Sequence, residues 1–316
     1  MSDNAARILD INNLPSQKEE AWKYTPLAKT MPKGLSPTPV AEKVIHCTCG
    51  QNGGQSEDIL IVGVDGQAQT EVLHIDVEAG AELMLIERHA GEGVYWKNIR
   101  TQITLGKNAK MTHYRIQEDS VDAVHTNMVD ICAEEGSEYN SFTLTKGAKL
   151  SRQDIKARLT GEDAKLFLNG VNILKDQQIG DTTILIEHEA PHCESDQFFR
   201  NVLDDRAKGV FQGKVHVHQA AQKTDANQLC KSILLSSRAE MNTKPELEIY
   251  ADDVVCSHGA TTGQIDDMQM FYMRSRGIKK SDAKMLLIKA FLAEASDKIL
   301  NEEIRLSIEE KIEKWL

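Results

Sequence analysis

Between residues 40 and 264 apolar and polar positions alternate in short runs. Ile59–Val64, Glu71–Val77, Leu83–Glu87, Gln102–Leu105, Met111–Ile116, Thr183–Glu187 and Val215–His218 combine β-branched or aliphatic residues with polar ones, and each ends within a few residues at Gly, Asn, Asp or Pro. A period of two marks a strand with one buried face. Many short strands at regular spacing predict a mainly β domain over residues 40–264.

A repeat runs through this region. Gly80-Ala81-Glu82-Leu83, Asn108-Ala109-Lys110-Met111, Gly136-Ser137-Glu138-Tyr139 and Asp163-Ala164-Lys165-Leu166 share one pattern: a small or turn-forming residue, another small one, a charge, and a large apolar residue. Their starts lie 28, 28 and 27 residues apart, and Lys244-Pro245-Glu246-Leu247 starts three steps of 27 beyond the last. Gly147-Ala148-Lys149-Leu150 is an off-register copy. A fixed period predicts a stacked solenoid in which each rung turns at the same place. A β-sandwich is the alternative.

The flanks differ in texture. Ser16 followed by Glu19 fits a capping box that starts a short helix over Lys18–Lys23. Pro26, Pro32, Pro37 and Pro39 then read as a linker, giving an N-terminal helical and proline-rich segment over 1–39. Residues 265–316 predict a helical C-terminal domain. It comprises Asp266–Arg276 stopped by Gly277, Asp282–Ser296 capped by Ser281, and Asn301–Leu316. Met285, Leu286, Ile288, Phe291, Leu292 and Ala295 share one helical face, and Ile304, Ile308 and Ile312 recur four apart. Such stripes usually pack within a chain. Here they follow a β domain that has its own core, so they are also candidates for an exposed docking face.

Composition narrows the function. Of 316 residues, 41% are apolar but only 5% aromatic, which suits a narrow core of aliphatic side chains. The formal charge of −11, with no basic tract, argues against nucleic acid or an anionic membrane as partner. No apolar run approaches a membrane span, and Met1–Asp10 lacks the apolar core of a signal peptide, so the expected location is the cytoplasm. There is no GxxxxGK[ST], GxGxxG or GxSxG. The acidic pairs Asp252-Asp253 and Asp266-Asp267 would be the carboxylates of a β-helical polysaccharide-active enzyme. However, strand neighbours point to opposite faces, and acids favour the first turn of a helix.

Six scattered cysteines without a CxxC pair are expected to be free thiols. In Cys256-Ser257-His258, if extended, the thiol and the imidazole share a face and suit iron, zinc or copper. His216-Val217-His218 has the same spacing, and Cys47-Thr48-Cys49, preceded by His46, offers two thiols on one side of a strand. His188, His192 and Cys193 gather around Pro191 as loop residues. For each, burial or simple packing competes with ligation, and none is a complete metal site alone.

Residues 242–278, NTKPELEIYADDVVCSHGATTGQIDDMQMFYMRSRGI, resemble the C-terminal signature of the SufB/SufD family of iron–sulfur cluster assembly scaffold proteins, in its SufD branch. Residues 14–27, LPSQKEEAWKYTPL, are similar to the start of such a protein, whereas the middle matches mainly in texture. The resemblance implies a right-handed parallel β-helix followed by a helical C-terminal domain. It implies a non-enzymatic scaffold that dimerises through the β-helix, with a SufB-like subunit or with itself, and that binds no nucleotide. It also implies a SufC-like ATPase docked on the C-terminal helices, with Met285, Phe291, Ile304 and Ile308 as candidate contacts. By the same resemblance His258 and Cys256 are candidate ligands of a transient iron–sulfur cluster at the subunit interface. Ser257 and Gly259 favour the SufD branch, and the chain is shorter than a usual member. No ligand role carries over to Cys47, Cys49, Cys132, Cys193 or Cys230.

Overall fold

The computed structural model describes residues 8–50 and 54–316. The strands are, in chain order, β1 (Ser36–Pro37), β2 (Ala41–Cys47), β3 (Gln55–Gly63), β4 (Gln67–Val77), β5 (Glu82–Gly91), β6 (Trp96–Leu105), β7 (Lys110–Asp119) and β8 (Val124–Ala133). They continue as β9 (Glu138–Gly147), β10 (Leu150–Leu159), β11 (Lys165–Leu174), β12 (Ile179–His188), β13 (Glu194–Leu203), β14 (Lys208–Val217), β15 (Asp225–Leu234), β16 (Glu240–Ile249) and β17 (Val255–Gly263). From β2 onward each strand pairs in parallel with the one two places on. One sheet runs β4-β6-β8-β10-β12-β14-β16, with β1 and β2 both on β4; the other runs β3-β5-β7-β9-β11-β13-β15-β17. The chain is a parallel β-solenoid, and the sandwich alternative is discarded.

The repeat is the rung. Its third residue opens successive strands of one sheet: Glu82, Lys110, Glu138 and Lys165 are register partners in turn. The first residues, Gly80, Asn108, Gly136 and Asp163, all take positive φ, between 57° and 72°. A left-handed corner there favours the Gly, Asn and Asp that occupy it in these four copies. The second and fourth residues of every copy are buried. The charged position alternates in sign, so stacked neighbours pair, as Lys110–Glu82 at 3.5 Å does; exposed pairs of this kind specify register more than they stabilise. The off-register copy is also a corner: Ala148 is left-handed and the motif leads into β10. Lys244–Leu247, by contrast, lies inside β16. Later rungs lengthen, with strand starts at 165, 194, 225 and 255, so a constant step falls short there.

The interior is apolar at one side, where Leu83, Leu85, Ile103, Leu105, Ile131, Leu166, Leu168 and Ile186 interlock. At the other side it is charged. Glu87, His89, Lys97, His113, Arg115, Asp119 and His125 are all buried there.

Three helices follow the solenoid: α2 (Asp267–Ser275), α3 (Lys280–Ser296) and α4 (Glu302–Trp315). Asp266 caps α2, accepting from the amides of Met268 and Gln269, and Gly277, at φ 85°, ends it as expected. α3 starts before Ser281, whose hydroxyl donates to Asp282 instead of capping the helix. Ile288, Leu292, Ile304, Ile308 and Ile312 pack on Ile86, Ile116, Leu144, Val171 and Val202 of the outer sheet face.

The N-terminal segment is also docked, and residues 1–7 lie outside the described region. The expected helix over Lys18–Lys23 shrinks to a 3-10 turn, Glu20–Trp22, although the Ser16 amide does donate to Glu19 at 2.8 Å. The stretch read as linker contains α1 (Leu27–Thr30) and β1. Trp22 and Leu27 bury against Trp96 and Leu150, and the Arg152 guanidinium lies 4.0 Å from the Trp22 ring and donates to Ala21 O. These contacts hold residues that proline alone would have left as a tether.

Candidate functional site

β17 and β16 are the last strands of their sheets, so the solenoid ends in open edges. Among the described residues β17 pairs only with β15, with Cys256 opposite Ala226 and His258 opposite Gln228. Strand alternation puts Cys256 and His258 on the same side, as the spacing predicts. Between them Ser257 faces the other way and donates to Asn227 at 2.6 Å. Cys256 is half-buried against Val215, Val217, Ala226 and Leu247, while His258 is exposed. Burial pushes the Cys256 thiol above its usual range, so it stays protonated at neutral pH until a metal or a nearby cation favours the thiolate. Ile249, Tyr250 and Val255 are exposed at this end.

The other predicted candidates separate. His216 on β14 and His218 just beyond it share an outer face, and the structure adds Glu187, the register partner of His216 on β12. Cys47 and Cys49 do not share a strand face. β2 ends at Cys47, whose buried thiol donates to Glu82 O, and Cys49 is exposed beyond the strand end. His188 is not a loop residue: it closes β12 with its ring inside the solenoid, 2.9 Å from Ser195 Oγ. Burial lowers its pKa to about 4. His192 is the left-handed corner of its rung and Cys193 is buried after it. Desolvation pushes Cys193 up to about 11 and Cys230 up to about 12, which leaves both as inert thiols. Asp252-Asp253 sits in a turn where Asp253 pairs with Lys223, and Asp266 is a helix cap. Neither pair forms an acid–base constellation.

The helical candidates also divide. Ile304 and Ile308 are buried within the chain by the outer sheet face, so they are not a free docking stripe. Phe291 is half-buried at the margin of that core. Met285, Leu286 and Leu306 remain exposed, as do Met268, Phe271 and Tyr272 on α2. No helix among the described residues is long and apolar enough to cross a membrane.

Sequence reasoning missed the charged interior. Lys97 Nζ lies 2.6 Å from Asp119, which also accepts from Tyr95 at 2.7 Å. Glu87 contacts His89 at 2.5 Å and His113 at 2.9 Å. Alternation alone marks these positions as inward, but nothing local says which of them will pair.

The structure thus defines a parallel β-solenoid whose terminal edge strand carries a cysteine and a histidine on one face. The SUF system FeS cluster assembly, SufBD core domain, family matches residues 60–291, and the chain belongs to this family. It is 32% identical over 278 residues to the iron-sulfur cluster assembly protein SufD of Escherichia coli, covering 85% of this chain and 66% of that one. It is 43% identical over 205 residues to an iron-sulfur cluster assembly SufBD family protein of Synechocystis, covering 65% of this chain and 45% of that one. A chloroplastic protein of Arabidopsis thaliana, ABCI7, is 35% identical over 235 residues, or 72% of this chain and 49% of that one. The chain thus spans about half to two thirds of the length of these relatives.

Proposed function

We propose that this chain is a non-catalytic, SufD-like scaffold that pairs through its open β16–β17 end with a SufB-like subunit and helps to hold a nascent iron–sulfur cluster at that contact. The observation that carries this reading is the position of Cys256 and His258 on one face of the terminal edge strand. A cluster that must be released needs soft ligands, few from each side. The half-buried, protonated thiol of Cys256 suits transient ligation: it loses its proton only when metal arrives. Unpaired strand edges favour a partner that adds strands to them. The α2–α4 region, with Met268, Phe271, Tyr272 and Met285 exposed, is the proposed dock for a SufC-like ATPase. An ATPase that shifted one subunit against the other would open the shared site and release its cargo. The proposed setting is the cytoplasm.

Co-expression with cognate SufB-like and SufC-like proteins, followed by anaerobic iron and sulfide analysis, tests the reading. A stable complex that loses its cluster in the C256A/H258A variant is expected. Failure to form a complex with either protein, or an unchanged cluster content in that variant, would defeat it.

A further inference from the structure

We infer that Glu187, His216 and His218 form a binding site for a divalent transition-metal ion on the outer face of the sheet that does not contain Cys256 and His258. The geometry comes from the rung. Glu187 and His216 are register partners on adjacent strands, and the ladder continues past β14, where the His218 amide donates to His188 O at 3.0 Å. Residues 216 and 218 therefore point the same way, with ring centroids 4.3 Å apart, and Glu187 reaches toward them from below. One ligand atom from each of the three lies within 4.8 Å of the others. A tetrahedral ion with bonds of about 2.0–2.1 Å needs its ligand atoms roughly 3.4 Å apart, so the side chains must close by up to about 1.4 Å.

Two further observations point to a ligand. The His218 Nε2 atom is buried and has no hydrogen-bond partner among the described residues, an arrangement that costs free energy until something fills it. Lys156 occupies one oxygen of Glu187, Oε2, at 3.2 Å, while Oε1 faces His216 Nδ1 at 3.8 Å, too far for a hydrogen bond. That gap between an acceptor and a ring nitrogen is where a cation fits. Two imidazoles and one carboxylate form the donor set typical of zinc or ferrous iron with open coordination positions. Both rings are partly exposed, so an ion has a path in. The site does not depend on the chain's part in cluster assembly.

The test is equilibrium binding of Zn(II), with Co(II) absorption as a second readout, on a chain in which Cys49, Cys132 and Cys256 are serine so that accessible thiols do not capture the metal. One ion per chain is expected, with affinity falling roughly tenfold or more in H216A, H218A and E187Q separately. These side chains are half-buried on the outer sheet face, and an unchanged melting temperature without metal confirms that each variant folds. Stoichiometric binding that survives both histidine substitutions, or binding no tighter in the parent than in the triple variant, would overturn the assignment.

Discussion

Inside the solenoid the Nδ1–H of His125 donates to the Asp119 carboxylate at 2.8 Å, and neither side chain reaches water. The other ring nitrogen, Nε2, accepts from Arg115 at 2.5 Å, which makes His125 a neutral ring with its proton on Nδ1. Burial dominates its titration and holds its pKa well below the usual imidazole range. Burial likewise lowers His89 and His188 to about 4.

These histidines make the fold acid-sensitive. Each has a folded pKa below its unfolded value, so the unfolded chain takes up the proton first. The stability they protect is complete above about pH 6.5 and is lost as pH falls toward 4, at up to about 3 kcal/mol for His89 or His188. Asp119 and Glu87 are held low despite burial, by the basic and imidazole groups around them, and their contribution goes below about pH 4. Glu71, Asp130 and Asp181, raised by burial, oppose the trend only near the carboxylate range. Chemical denaturation at a series of pH values should show stability falling between pH 6.5 and 4. A flat profile there would mean that the interior histidines are solvated.

Lys97 and Asp119 form an ion pair with no exposed surface on either partner. Removing one partner strands the other charge, so D119L should destabilise by about 3–5 kcal/mol. K97M should also destabilise, since Asp119 loses a cation, whereas K97M combined with D119L should recover part of the loss. Urea denaturation of the three variants checks this. Additive losses would show that the pair is not coupled.

Ile308 is fully buried between α4 and the outer sheet face. I308A should cost about 2–4 kcal/mol and speed hydrogen exchange in α3 and α4 more than in the solenoid interior. Substituting Met285, which is exposed, should leave stability within about 0.5 kcal/mol while weakening ATPase capture if the docking proposal holds. Equal destabilisation by both would place the helices' contacts elsewhere.

Much of the fold was legible because a rung repeats its physics. Gly80, Asn108, Gly136 and Asp163 mark left-handed corners, and only a few residue types tolerate that conformation. The repeat became unreadable after residue 165, where rungs lengthen and His192 and Lys223 take the corner in place of Gly, Asn or Asp. That drift also hid Glu187. A step of 27 or 28 back from His216 lands on His188 or Glu189, one or two residues past the true partner. Strand alternation put Cys256 and His258 on one face, whereas a ligand role for them came only from the family resemblance. The fate of Ile304 and Ile308 was not, because a helical stripe looks the same whether its own sheet or a partner covers it.

The most direct test of the central claim is hydrogen exchange across β17 before and after adding the cognate SufB-like subunit. β17 is an edge strand, and the account predicts that its amides and those of β16 gain protection in the complex, while β3 at the other end does not change. Strong protection elsewhere with β16 and β17 unaltered would contradict the placement of Cys256 and His258 at a subunit contact.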